Sequence, residues 1–453
     1  MVRRKLTTQQ KDILRKSDRA AVRAVLGRLV LHVRRGRWLG DNNTYRQNCV
    51  KVLEKPRGGQ LRPVNHRHLS EYIVASAPLH CTDGWSFLGR ALDCHAQGDA
   101  NAARHLGYYA ELRGAMSLLA TEGIGIFSRR HFVLESSQGC QELQSRKGTH
   151  AIAWLALEHW SGLKRSTDCL ATVIEPGGIP LAEWLDAFHG AGPTWQPIGA
   201  KWLKTWGLDL QRLSDDRDAR NEASYRPTRV NARAFLDVLD SSSFVRSLWV
   251  VYEPSTPSRF GLLDRHLLRL TLEQAFEAVT GKKATDDPSG FRGRIATMLY
   301  AVAPSGLPMD EWRRFLTRDV QPKDSVLTTE ARGTVTVRDP RHHIQVMARA
   351  ALLLRVATGA CALLLREAGF GRSELEFWWK NLGEERGLWE PGDEPDELLN
   401  LWADVDMALG DMHQWEISNS GTNASYARWH REQPYAISVL GECERIALWG
   451  LGL

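Results

Sequence analysis

The sequence predicts a mainly α-helical protein with more than one domain and minor β structure. Apolar residues recur at helical spacing through most of the chain. The composition is that of a globular protein, with 43% hydrophobic and 25% charged residues. At 453 residues the chain is long enough for two or three hydrophobic cores. We therefore expect several packed helical units rather than a disordered or fibrous chain.

The helical pattern begins close to the N-terminus. Thr7 and Gln10 have the spacing of a capping box, and an amphipathic run follows from about residue 9 to 33. Alternating residues around Pro56-Arg57-Gly58-Gly59 predict one small β-hairpin near residues 48–64. Shorter extended pieces are predicted at 131–134 and 334–338. Further helices are predicted at 69–76, 84–97, 100–122, 149–163, 179–189, 201–225, 231–239, 243–252, 259–279, 291–302 and 341–368.

Loops divide the chain into four predicted segments. The polar, proline-containing stretch 253–258 is a boundary signal. The most apolar stretch, 350–365, contains Arg355 and is too short and too charged to span a bilayer, so we expect a buried core helix there. The segments are a basic N-terminal region (1–75), a helical domain (80–250), a helical connector (259–320) and a C-terminal helical region (341–453).

The cysteine pattern indicates a reduced protein. Seven cysteines are scattered singly and none forms a CxxC pair, so we expect no structural zinc site and no disulfide framework. The N-terminal residues Met-Val-Arg-Arg-Lys precede no apolar segment, and we expect no signal peptide. We expect a cytoplasmic protein with no membrane association, no metal and no cofactor.

Charge is distributed unevenly. Residues 1–68 hold 18 Lys and Arg against four acids, a net charge of +14, whereas the remainder carries −8. A basic N-terminal region of this kind is typical of contacts with RNA or DNA. The alternative is a basic face that docks on the acidic body of the same chain. The candidate nucleic-acid-binding residues are Arg34, Arg35, Arg37, Arg57 and Arg62.

The strongest candidate site lies at the end of the helix predicted for 201–225. Arg220, Asn221 and Tyr225 place a guanidinium, an amide and a phenol on one short stretch, followed by a proline that ends the helix. These side chains would line one groove if a facing helix closed it, an arrangement that suits a phosphodiester. Alternatively, Arg220 and Asn221 only stabilise the last helical turn through the carboxylates of Asp216 and Glu222.

Four pieces of sequence stand in the order of a known family. The pieces are Trp85–Leu92 with Gly98, Tyr108–Ala120, Gly123-Ile124 with Thr149-His150, and Arg217–Tyr225. With them, residues 83–227, about a third of the chain, resemble the HEPN superfamily of small helical domains, which is common in prokaryotic conflict systems and toxin–antitoxin pairs. The resemblance implies a helical bundle at about 80–250.

The family's nuclease members combine an arginine, a polar residue and a histidine. The resemblance implies that Arg220 would hold the scissile phosphate, with Asn221 as the polar residue. Tyr225 stands where those members have histidine, and a phenol with a pKa of about 10 is a poor general base at neutral pH. Either His131 or His150 would have to replace that imidazole, or the domain binds or assembles without catalysis.

A second arginine–histidine pattern lies farther along the chain. Arg338, Asp339 and His343 repeat the family spacing, and Pro340 suits the first turn of the following helix. If two HEPN-like units faced each other, Arg338 and His343 would supply the missing imidazole. The alternative is a basic helix start whose histidines cap the helix or pair with neighbouring acids.

These observations lead to three functional hypotheses. The first is a helical protein of a prokaryotic defence or stress module that binds RNA or DNA through residues 1–68, or a protein partner of a defence complex. The second is a metal-independent endoribonuclease built on Arg220, Asn221 and a histidine from elsewhere. The third is an assembly subunit, in which the 17 tryptophans contribute protein contacts.

Overall fold

The computed structural model of the protein describes most of the chain. The described residues are 5–54, 60, 62–145, 147–189, 199–225, 236–255, 258–320 and 324–453, with the backbone alone for 222–225.

The described chain is mainly helical, which confirms the predicted fold class. Two short 3-10 segments, Pro176–Gly178 and Leu398–Leu401, accompany the α-helices. The helices are α1 (Thr8–Arg15), α2 (Arg19–Val33), α3 (Cys49–Leu53), α4 (His66–Ala96), α5 (Ala100–Thr121), α6 (Thr149–Ser161), α7 (Lys164–Val173), α8 (Leu181–His189), α9 (Gly199–Trp206), α10 (Arg212–Tyr225), α11 (Val238–Val250), α12 (Gly261–Thr280), α13 (Pro288–Val302), α14 (Met309–Leu316), α15 (Val326–Arg332), α16 (His342–Glu367), α17 (Glu376–Arg386), α18 (Trp402–Asn419), α19 (Tyr426–Glu432), α20 (Pro434–Leu440) and α21 (Glu444–Leu451).

The β structure is a three-stranded antiparallel sheet between α5 and α6. Its strands are β1 (Ile124–Ile126), β2 (His131–Ser136) and β3 (Gly139–Leu143), in the order β1-β2-β3. Ile124 pairs with Val133 in the β1–β2 register. The extended piece predicted at 131–134 is therefore confirmed, as the central strand of this sheet.

The hairpin predicted near 48–64 is wrong in its first part, because Cys49–Leu53 forms α3. Cys49 and Leu53 are both buried and lie four residues apart, which is the spacing of one helix face. The Asn48 side chain accepts a hydrogen bond of 2.8 Å from the Lys51 backbone N–H and so caps the helix. The predicted turn, Pro56–Gly59, lies outside the described residues.

The centre of the protein is built from α4, α5 and α16, which pack against one another. Two glycines permit the close approach: a Cβ added at Gly114 would lie 3.3 Å from Leu353 Cγ, and one added at Gly84 would clash with Leu354. Among the described residues α16 is the one helix long and apolar enough to cross a membrane, and 83% of its apolar window is buried inside the protein. The prediction of a buried core helix there is confirmed.

Several local predictions differ from the structure. The amphipathic run predicted at 9–33 forms two helices, α1 and α2, and the helices predicted at 69–76 and 84–97 are one helix, α4. The helix predicted for 201–225 is two helices, α9 and α10, separated at Gly207, whose φ of 119° few other residues adopt. The strand predicted at 334–338 is not formed in these described residues, and helix α15 precedes them. Arg332, at the end of α15, donates a hydrogen bond of 3.0 Å to the Thr205 carbonyl, so tertiary contacts stabilise this short helix.

The four sequence pieces quoted for the family resemblance lie mostly on helices, although Gly98 and Gly123 lie in turns and Ile124 begins β1. Their helical parts occupy α4, α5, the start of α6 and α10, and α5 contacts each of the other three. Residues far apart in sequence therefore converge on α5. The proposed division of the chain into four segments stays a prediction.

Candidate functional site

The Arg220 side chain lies at the junction of α10, α5 and α6. It is 7% exposed, and its Cζ lies 5.3 Å from the ring centroid of Tyr108 and 5.4 Å from that of Tyr109. Its Nη2 lies 3.4 Å from Nε2 of His150. Aromatic faces stabilise a cation by their quadrupole, so the phenol rings help to hold the guanidinium in place. Of the two histidines proposed from the sequence, His150 is the one at Arg220.

The orientation of the His150 ring follows from its two neighbours. Its Nδ1 lies 2.9 Å from the Tyr108 hydroxyl, and the two rings stack with their centroids 5.7 Å apart. A guanidinium can only donate hydrogen bonds, so Nε2 is the acceptor facing Arg220. The ring proton of the neutral form therefore sits on Nδ1 and points to Tyr108. This arrangement leaves the Nε2 lone pair on the side of the guanidinium.

The charge state of His150 is controlled by its surroundings. Burial, together with the positive charges of Arg220 and Arg217, lowers the pKa of His150 to about 4. The imidazole is consequently neutral near pH 7. An anion bound at Arg220 would offset the positive charge and raise this pKa, because it stabilises the imidazolium form.

A second imidazole stands at the edge of this group. The half-buried His105 packs against Tyr109, with ring centroids 5.0 Å apart. Burial and then the charge of Arg220 lower the pKa of His105. His105 was not among the candidate residues predicted from the sequence. The available signal was weak, since it was only the position of His105 one helical turn before Tyr108 and Tyr109.

Behind Arg220 lies a buried network of charged residues. Asp216, one turn earlier in α10, accepts two hydrogen bonds from Arg349 of α16, at 2.9 and 2.7 Å. The carboxylate of Glu111 lies 3.6 Å from the Arg349 guanidinium. Burial, and then the negative charge of Asp216, raises the pKa of Glu111 well above its usual value. Asp216, which the sequence suggested as a partner of Arg220, is thus bound to a residue 133 positions away.

The other two residues of the first pattern stay on α10. Asn221 is half-buried and follows Arg220 directly. Tyr225 is the last residue of the helix, and its side chain lies outside the described residues.

The second arginine–histidine pattern, Arg338 to His343, begins at the surface and ends in the interior. Arg338 is exposed, whereas His343 is 2% exposed and its Nε2 lies 2.8 Å from Nδ1 of His95 in α4. Burial, and then the neighbouring His95, lowers the pKa of His343. His342 also points inward, and its Nδ1 accepts a 3.2 Å hydrogen bond from Arg104. These contacts give the two histidines of the helix start a structural role in packing α16 against α4 and α5.

His131 is likewise part of the structural core. It is fully buried in β2, and its Nδ1 accepts a 3.2 Å hydrogen bond from the Phe127 backbone N–H. Its Nε2 lies 2.9 Å from the Lys147 carbonyl oxygen. Both ring nitrogens therefore have backbone partners, and the imidazole is positioned to join the sheet to the start of α6.

The basic N-terminal region contributes an exposed surface. Arg34 and Arg35 are exposed at the end of α2, while Arg37 is ion-paired with Asp41. Arg62 is exposed and lines a cleft of 620 Å³ that also includes Asp41 and residues of α3. Arg57 lies outside the described residues.

A larger cleft continues this surface. It has a volume of 850 Å³ and includes Glu54, which also lines the first cleft. Arg129 is exposed there, and Arg130 is held by Glu142 at 2.8 and 2.5 Å. We call the two clefts together the basic groove. It is bordered by Arg46, Lys51, Arg62, Arg129 and Arg130.

Other basic residues of the N-terminal region contact the body of the chain. Lys16 lies 3.3 Å from Glu135, and Arg19 lies 3.5 Å from Glu367. Arg28 donates a hydrogen bond of 2.6 Å to the Ser137 carbonyl. The two interpretations of the charge thus apply to different residues: α1 and α2 dock on the body, whereas the basic groove faces solvent.

Comparisons of this chain with protein-family models, with curated proteins and with solved structures found no match.

Proposed function

We propose that this protein binds RNA and cleaves it by acid–base chemistry at Arg220 without a metal ion. The observation that carries the proposal is the 3.4 Å separation between Nη2 of Arg220 and Nε2 of His150. A guanidinium binds a phosphodiester through charge-assisted hydrogen bonds, and a neutral imidazole accepts a proton. The resemblance to HEPN nucleases, in which an arginine and a histidine share these roles, agrees with this assignment.

The reaction would be an internal transfer on the RNA backbone. His150 Nε2 would take the proton of a ribose 2′-hydroxyl, and the 2′-oxygen would form a bond to the adjacent phosphorus. The bond from phosphorus to the 5′-oxygen would break, and that oxygen would leave with a proton from water. The products would be a 2′,3′-cyclic phosphate and a 5′-hydroxyl end. DNA lacks the 2′-hydroxyl and would not be cleaved.

The basic groove supports a binding step that precedes this chemistry. Lys51, Arg62 and Arg129 line the groove and have no ion-pair partner in the part of the chain that the structure describes. Each phosphate that such cations neutralise releases counterions, so binding through them weakens as salt rises. Arg34 and Arg35 extend the same basic region at the end of α2.

The test is cleavage of single-stranded RNA by the full-length protein in the presence of EDTA. We expect cleavage by the wild type, and a loss of at least about a hundredfold in the Arg220→Gln and His150→Gln variants. The control is His159→Gln, which changes the other histidine of α6. Intact RNA with the wild type, or equal cleavage by wild type, Arg220→Gln and His150→Gln, would argue against the proposal.

Binding without cleavage is the second candidate. It is favoured by the pKa of His150, which at about 4 makes the imidazole a weak base before RNA binds. The discriminating measurement is fluorescence anisotropy with a labelled RNA over a series of salt concentrations. Binding that weakens in an Arg34→Gln, Arg35→Gln, Arg62→Gln triple variant, without product formation by the wild type, would support this function.

The cellular setting is proposed from the resemblance. Membership of a prokaryotic defence or stress module would supply either RNA or a protein partner of a defence complex. A cytoplasmic location agrees with the seven cysteines, all of which are free thiols. If the protein neither binds nor cleaves RNA, an assembly role becomes the better hypothesis, and a pull-down in the presence of nuclease would test it.

A further inference from the structure

A second candidate site is a cleft that lies away from Arg220. It is a cleft of 870 Å³ between α9, α12 and α13, closed at one end by the turn after α14. Leu270 and Phe291 form part of its wall, and both are buried. This volume lies within the range of sites that bind small organic molecules.

Basic side chains dominate the polar part of the cleft. Its lining includes five Lys and Arg residues against three acids. Several of these charges are already matched: Arg318 binds Glu273 at 2.5 and 2.9 Å, and Arg292 lies 3.1 Å from Asp319. The acids thus hold two of the guanidiniums, and Lys204 lies 3.6 Å from Asp209. The positive character of the cleft comes from Arg332 and Lys283.

Arg332 and Lys283 are the basic residues with capacity for a ligand. Arg332 uses its Nε to bond the Thr205 carbonyl, and its two terminal nitrogens have no hydrogen-bond partner among the described residues. Its charge is partly offset by Asp324 and Glu273 nearby. Lys283 is exposed and likewise has no ion-pair partner in the described ranges. Burial lowers the pKa of Arg332, a direction that an anionic ligand would reverse.

The same cleft contains an unsatisfied neutral acceptor. The side-chain Oε1 of Gln274 is buried and has no hydrogen-bond partner among the described residues. A buried acceptor without a donor costs free energy, and rotation of the Gln274 side chain into the cleft would let a ligand N–H or O–H group recover it. The cleft therefore combines an apolar wall, an acceptor that needs a donor, and cations.

We propose that this cleft binds a mononucleotide. Arg332 and Lys283 would hold the phosphate groups, because an Arg fork and a Lys ammonium are the common phosphate ligands of proteins. A base amino group or ribose hydroxyl would donate to Gln274, and the base would pack against Leu270 and Phe291. The proposal does not depend on the Arg220 site, since none of its residues belongs to that group.

The experiment is isothermal titration calorimetry of the full-length protein with ATP, AMP, adenosine and inorganic phosphate. We expect ATP and AMP to bind, and adenosine and phosphate each to bind at least about tenfold more weakly, because each lacks half of the recognised groups. Arg332→Gln and Lys283→Gln should each weaken ATP binding by about tenfold or more. Gln274→Leu keeps the volume but removes the acceptor, and should weaken AMP and adenosine binding equally.

Arg314→Gln is the matched control, because Arg314 is an exposed arginine of α14 outside the cleft. It should bind ATP as the wild type does. The inference is overturned if no nucleotide binds, if phosphate alone binds as tightly as ATP, or if the Arg332, Lys283 and Gln274 variants match the wild type. Repeating the titration with Arg220→Gln separates the two proposals, since nucleotide binding should survive that change.

Discussion

At the scale of single residues, one guanidinium is shared by two buried carboxyl groups. Arg349 binds Asp216 through two hydrogen bonds and lies 3.6 Å from Glu111, and all three side chains are at most 2% exposed. One positive charge cannot fully compensate two negative charges in a medium of low dielectric constant. The raised pKa of Glu111 removes this charge imbalance, because the carboxyl group binds a proton and becomes neutral.

This network predicts that removing an ionisable group costs different amounts of folding free energy at Glu111 and at Arg349. We expect Glu111→Gln to change the free energy of unfolding by less than about 1 kcal/mol, since an amide replaces a carboxyl group that is already neutral. Arg349→Met leaves Asp216 buried without a counter-charge and should cost about 3–5 kcal/mol. Urea denaturation followed by tryptophan fluorescence measures both. Equal losses in the two variants would contradict the protonation assigned to Glu111.

Tyr108 belongs to the same scale, as a positioning residue for His150. Tyr108→Phe keeps the ring beside Arg220 and removes the hydroxyl that lies 2.9 Å from Nδ1 of His150. If the RNA is cleaved as proposed, kcat should fall about tenfold with little change in KM, because the phosphate contact remains while the base loses its orientation. Tyr300→Phe, at a position that is 87% exposed, provides the control. A change in KM alone would assign Tyr108 to binding instead.

At the scale of elements, two glycines inside helices distinguish the effect of helix propensity on stability from the effect of tertiary packing. Gly27 lies in α2 with nothing within 4 Å of an added Cβ, whereas a Cβ at Gly89 in α4 would clash with the Gly441 carbonyl. Both are helix-interior positions, where alanine is intrinsically favoured over glycine by about 1 kcal/mol. The two sites therefore differ in tertiary contact and not in local conformation.

We expect alanine to stabilise the protein at one of these two positions and to destabilise it at the other. Gly27→Ala should raise the free energy of unfolding by about 0.5–1 kcal/mol. Gly89→Ala should lower it by about 1–3 kcal/mol, because the backbone at Gly441 must move. Thermal melting of the two variants beside the wild type measures the difference. Stabilisation by Gly89→Ala would mean that α4 and the α20–α21 turn pack less closely than described.

At the scale of the whole molecule, buried histidines make stability depend on pH. Burial lowers the pKa of His80 and His342 to about 3 and that of His95 to about 4. In the unfolded chain these rings titrate near about 6.5, so below that pH the unfolded state binds more protons and the folded state loses stability. Asp93 has the opposite effect. Burial raises its pKa to about 6, so its contribution to the stability of the folded protein is lost as the pH rises from the usual aspartate pKa to 6.

We therefore expect the melting temperature to fall as pH decreases from about 6.5 towards 4, with histidines outweighing Asp93. Each fully buried histidine contributes at most about 1.4 kcal/mol per pH unit to the slope. His95→Gln should make the slope shallower, and His413→Gln, which changes an exposed histidine, should leave it unchanged. Scanning calorimetry between pH 7 and 5 tests this, and identical slopes in all three proteins would contradict it.

The sequence by itself determined the elements whose signals are local. The capping box of Thr7 and Gln10 begins α1 as predicted, and the apolar run at 350–365 lies in the buried helix α16. Such features depend on residues within one or two turns, and periodicity reports them directly. The prediction was wrong at Cys49–Leu53, where a short alternating run forms a helix. A short apolar pattern fits the helical period and the strand period equally well.

Only the tertiary structure decided which side chains meet at the candidate site. Arg220 and His150 are 70 positions apart, and Asp216 and Arg349 are 133 apart. These contacts depend on how α5, α6, α10 and α16 pack. The spacing of residues along one helix does not predict that packing geometry. The sequence therefore identified Arg220 as the candidate phosphate ligand, while the three-dimensional packing selected His150 over His131 and placed His343 in the interior.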